Sequence, residues 1–79
     1  MTNEDYEGRK IQVVSFDDAT SDEHVIEFID PAVSSAGSVV AVFNRGSDWR
    51  DARVSINPKL DGVSAEFLIW ALNVARRMM

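Results

Sequence analysis

The chain has 79 residues, 46% of them apolar and 27% charged, with no cysteine and a net charge of −5. That is too apolar for a disordered chain and too short for more than one domain, and it offers no thiol for a disulfide or a thiolate zinc site. The acidic balance disfavours nonspecific binding to phosphate backbones and anionic membranes. The longest fully apolar run, Phe67 to Leu72, is six residues, against the roughly 20 that a membrane-spanning helix needs.

"MTNEDYEG" is polar and ends in glycine, so residues 1–8 are expected to fray. No basic segment leads into an apolar stretch, and a cytoplasmic protein is expected. "RKIQVVSF" follows, and its Ile11, Val13, Val14 and Phe16 suit a strand. "DDATSDE" is the polar loop that ends it.

"DEHVIEFID" fits two structures. As a helix near 21–30 it gathers Val25, Ile26, Phe28 and Ile29 on one side, with Thr20 and Glu23 as a capping box and Pro31 as a stop. As a strand it is short, rich in β-branched and aromatic residues, and set opposite "IQVVSF" across a loop of hairpin length. The strand is preferred on length and neighbourhood, with the helix kept as the alternative.

"PAVSSAGS" reads as a connection of small residues. "VVAVF", residues 39–43, is the clearest strand, and "RDARVSI" resumes the alternation with Ala52, Val54 and Ile56 after the turn residues of "NRGSD". A hairpin is expected there. "NPKLDG" breaks the sheet before a closing helix that starts near Val63 or Ser64. The whole is a single α+β domain, residues 1–79, with an antiparallel sheet of three or four strands and the C-terminal helix across one face. The alternative for residues 21–30 makes it β-α-β-β-α.

Candidates for chemistry are few. His24 is the only histidine, so any Ser-His-Asp arrangement must use it, and no serine stands in a G-x-S-x-G context. Asp17, Asp18, Asp22, Glu23 and His24 cluster, but they lack the alternating oxygen ligands and the glycine of a calcium loop, so no metal is expected. "NRGSDWRDAR" interleaves Arg45, Arg50 and Arg53 with Trp49 in the manner of a single-strand platform. Asp48 and Asp51 dilute it to +1, and a salt-bridged hairpin surface is the simpler expectation. The glycines form no phosphate-binding pattern. No catalytic residue, cofactor or small-molecule substrate follows from the sequence, and an enzyme is not expected.

The closing helix carries the functional expectation. On a wheel of about 100° per residue with Glu66 at zero, Phe67, Leu68, Ala71, Leu72, Ala75, Met78 and Met79 fall between about 100° and 240° and suit the sheet. Trp70 and Ile69 fall outside that arc, among Asn73, Arg76 and Arg77, with Val74 on the flank. Three covers fit this second apolar side: the N-terminal arm with Tyr6, a second copy of the chain, or another protein anchored on Trp70.

The expected function is that of a small protein-binding module, an inhibitor or adaptor of the kind phages and mobile elements encode. It is expected to act through Ile69, Trp70, Asn73, Val74 and Arg77 on another protein or as a homodimer. The alternative rests on charge, because residues 1–31 hold nine acids and two bases. In it Asp17, Asp18, Asp22, Glu23, Glu27 and Asp30 form an acidic patch that imitates phosphates and occupies a basic site on a partner. Direct contact with nucleic acid or membrane is not expected in either case.

Overall fold

A computed structural model describes residues 2–32 and 37–79. The element order is β1 (Thr2–Tyr6), β2 (Arg9–Asp18), β3 (Glu23–Ile29), β4 (Val40–Asn44), a short 3-10 turn (Trp49–Asp51), β5 (Arg53–Ile56) and α1 (Ala65–Met78). The fold is α+β, with five antiparallel strands in the sheet order β1-β2-β3-β4-β5 followed by one C-terminal helix.

Two expectations are corrected here. Residues 2–6 form the edge strand β1 instead of fraying, so the sheet has five strands, not three or four. The cause is the two-residue turn Glu7-Gly8, in which both residues have positive φ (49° and 82°), as the tight hairpin twist requires. Gly8 takes such a φ at little cost. Backbone pairing with β2 then orders a segment whose side chains are mostly polar. Residues 23–29 form strand β3, which removes the helix near 21–30. With β2 and β4 hydrogen-bonded along its two edges and Ile26 and Phe28 buried on the α1 face, tertiary pairing outweighs its helical spacing.

Other expectations hold. β4 and β5 pair as the hairpin around "NRGSD", with Val40 opposite Ile56 and Val42 opposite Val54. The helix starts after Ser64, whose hydroxyl accepts from the Phe67 N–H at 3.1 Å, a cap that stabilises a helix by about 1 kcal/mol. The connection "PAVSSAGS" lies partly outside the described residues.

The register sorts the side chains. Ile11, Val13, Ile26, Phe28, Val40 and Val42 share one face and form a single core with Phe67, Ala71, Val74 and Ala75 of α1. Burying a side chain the size of Phe28 or Ile26 contributes roughly 1.5–3 kcal/mol, so this layer holds the domain together. The buried arc of α1 runs from Trp70 at about 40° to Ala75 at about 180°, turned by roughly 60° from the arc the wheel suggested. Leu68 and Leu72 consequently sit on its flank, half-buried, while Met78 and Met79 are exposed.

Candidate functional site

The five helix positions proposed as an interface are divided by this rotation. Val74 is 3% exposed and belongs to the core. The Trp70 ring stands 5.2 Å from Tyr6, 5.6 Å from Phe67 and 5.9 Å from Phe28, centroid to centroid. Its cover is intramolecular: β1 carries Tyr6 onto the helix, and Trp70 joins the core as a half-buried member. Ile69, Asn73 and Arg77 remain on the outer side, Ile69 at 56% exposure. Arg77 reaches across to Glu4 of β1, at 3.5 Å.

The six acidic residues do not assemble into one patch. Asp30, 2% exposed, is ion-paired with Arg9 at 3.2 Å and accepts from the Ala32 N–H, at the far end of β3 from the others. Glu23 is nearly buried under Arg53, which donates to it. Glu27 projects from the middle of β3 on the face away from α1. Asp17, Asp18 and Asp22 stay together at the β2–β3 turn with Glu23 beside them, and there Asp18 accepts from the Thr20 N–H and Asp22 takes a positive φ. They line a shallow concavity with Glu23, His24 and Arg45, so a cation sits among the carboxylates.

Within that turn, Asp17, His24 and Ser15 are neighbours on one face of paired strands. His24 Nδ1 donates to Asp17 Oδ1 at 2.7 Å, and in the neutral ring the Ser15 hydroxyl donates to Nε2 at 2.9 Å. These are the contacts of a nucleophilic serine relay. Their setting differs from one in that the Asp17 side chain is 89% exposed. The two hydrogen bonds link side chains of β2 to β3. Among the described residues, no three His, Asp or Glu side chains stand close enough to hold a metal ion.

The "NRGSDWRDAR" segment folds on itself. Asp48 accepts from the Arg50 backbone and side chain and caps the 3-10 turn, and the Arg50 guanidinium holds the Asp48 carboxyl below the usual aspartate range. Trp49 packs half-buried against the core instead of presenting its ring to a base.

The feature that the sequence reading passed over is the second face of the sheet. Register places Phe16, Val25, Phe43 and Arg53 in one row across β2–β5, and Val14, Glu27, Ala41 and Ser55 in the next, with Ile29 beyond. Val25 and Ala41 are buried among their neighbours, Val14, Ile29 and Phe43 are half-buried, and Phe16 is 40% exposed. Among the described residues no helix or strand lies over this face. The signal was present in the pairs Val13-Val14, Val25-Ile26 and Phe28-Ile29. A strand with one wet face alternates apolar with polar residues, whereas unbroken apolar runs belong to strands covered on both faces. Such strands need two covers, and α1 is one helix.

Two further observations bear on the class. No described helix is long and apolar enough to cross a membrane. Comparison with family models, with curated proteins and with solved structures returned no match. Among the described residues the architecture is a five-stranded antiparallel meander with one C-terminal helix packed on one face and no helix or strand over the other.

Proposed function

We propose that this protein is a small protein-binding module that docks through the open face of its sheet. The observation that supports the reading is the row Phe16, Val25, Phe43, which runs across three strands opposite α1. Phe16, 40% exposed, and the half-buried Phe43 each have part of the roughly 1.5–3 kcal/mol of a full burial left to gain under a partner, while Val25, already buried, forms the floor between them. The helix keeps a lesser part, since Trp70 and Val74 pack within the domain and Ile69 stands outside with only the half-buried Leu72 as an apolar neighbour one turn on. A cytoplasmic inhibitor or adaptor remains the role that fits an acidic chain of this size.

Site-specific photocrosslinking in the native host tests the surface. A benzophenone side chain at position 43 should yield a discrete adduct, and the same group at position 69 should yield little. Adducts from position 69 alone would return the contact to the helix.

A further inference from the structure

Resting on that reading, we infer that the occupant of the open face is an amphipathic helix of another protein that carries a lysine or arginine within its apolar side, placed to meet Glu27. Three observations carry this. Glu27 is half-buried in the middle of the apolar surface, opposite Val14 on β2 and Ala41 on β4 and two residues from Val25 and Ile29 on its own strand. No ion pair to it forms among the described residues, although the neighbouring charges on the same face are matched, Lys10 with Asp5 at 2.8 Å and Glu23 with Arg53. Any partner that covers the apolar row must cover this carboxylate too. Desolvating it without a counter-charge costs several kcal/mol, so an occupant without a cation there is strongly disfavoured.

The charge of the whole face points the same way. Its side chains are Asp5, Lys10, Asp18, Glu23, Glu27 and Arg53, which leaves Asp18 and Glu27 in excess after pairing. A second copy of the chain brings the same negative excess and is the poorer fit. The width of the apolar row, from β2 to β4, is two strand spacings or about 10 Å, close to the diameter of one helix with its side chains. A helix laid there completes a three-layer arrangement in which the sheet is covered on both sides, as its apolar strands require.

Three synthetic helical peptides test the inference by fluorescence anisotropy at about 150 mM salt. All share a leucine face, and one position within that face is lysine, glutamine or glutamate. The lysine peptide is expected to bind at least tenfold more tightly than the glutamine peptide, and the glutamate peptide not at all. Glu27→Gln should remove that preference, whereas Asp61→Asn, which likewise removes one negative charge but at an exposed position outside the sheet, should keep it. Phe16→Ser, at a side chain exposed enough to change without loss of the fold, should weaken the lysine and glutamine peptides alike. Equal binding of those two peptides, sensitive to Phe16→Ser, would leave the docking face standing and overturn the cation. Binding of any peptide that ignores Phe16→Ser overturns both readings, and so does absence of all binding. Self-association in sedimentation that Phe16→Ser abolishes would make a second copy the occupant and overturn the inference alone.

Discussion

Tyr6 and Trp70 join the first strand to the last helix, their ring centroids 5.2 Å apart and their planes tilted by 51°. Tyr6 also meets Phe67 edge to face at 5.1 Å, and the Arg9 guanidinium lies over the tyrosine ring, 5.5 Å from its centroid. An edge strand made mostly of polar residues is therefore fastened by one buried aromatic side chain. Its order depends on that ring as much as on the ladder with β2.

Trp70→Ala should accordingly act on stability and leave association untouched. Truncating a large aromatic in a packed cluster costs about 3 kcal/mol, and Tyr6→Ala should cost a comparable amount while loosening β1. Ile69→Ala, one residue away and solvent-facing, should stay within about 0.5 kcal/mol. Urea denaturation of the three variants measures the contrast. A neutral Trp70→Ala would mean the aromatic cluster contributes nothing to the fold.

Arg9 and Asp30 make a second prediction at the other end of β3. Asp30 is almost wholly buried, and its Oδ2 faces Arg9 at 3.2 Å with no hydrogen bond of good geometry, while Oδ1 accepts from the Ala32 N–H. Removing the guanidinium leaves a buried carboxylate uncompensated. Because Arg9 itself is partly exposed, the loss is expected to be about 1–3 kcal/mol for Arg9→Ala, less than for a fully buried pair. Thermal unfolding of Arg9→Ala at neutral pH is the measurement, and an unchanged midpoint would show the pair to be dispensable.

Much of this architecture was legible in the sequence, for reasons that particular residues make plain. "VVAVF" and "RDARVSI" flank turn residues, and they form the hairpin; Ser64 precedes an apolar helical repeat, and it caps α1. β1 was not legible as a strand because Thr2, Asn3, Glu4 and Asp5 carry no apolar alternation, and only the Glu7-Gly8 turn marks the hairpin. The face of α1 was misjudged for a related reason. The wheel weighs Leu68 and Leu72 as heavily as Trp70, but the position of Tyr6 on β1 decides which side turns inward. The open face follows the same pattern. Val14, Phe16 and Phe43 look like ordinary core residues until register shows that they point away from α1.

Acid should act at the 3-10 turn. The Arg50 guanidinium first, and the Arg50 backbone N–H second, hold the Asp48 carboxyl below its ordinary range. A folded-state pKa lower than the unfolded one gives stability that is present above the unfolded value and lost as pH falls through the folded value. The contribution is small, because the pair is solvent-exposed. Carbon-detected NMR titration should place the Asp48 midpoint below the ordinary aspartate range, and Arg50→Gln should raise it. An Asp48 midpoint that Arg50→Gln does not move would remove the guanidinium as the cause.

Nucleic acid gives the last prediction, because the Arg-rich hairpin is the one segment that resembles a binding platform. A stacking platform needs an exposed aromatic face beside unpaired cations. Trp49 is packed against the core and Arg50 and Arg53 are engaged by Asp48 and Glu23, which leaves Arg45 beside the carboxylates of the β2–β3 turn. With a net charge of −5 the long-range field opposes a polyanion as well. In a Trp70→Phe background, where Trp49 is the sole indole, oligonucleotides at about 150 mM salt should leave its fluorescence unquenched up to tens of micromolar. Quenching that weakens steeply with added salt would show that the hairpin opens to release Trp49, and that the acidic character of the chain does not govern its partners.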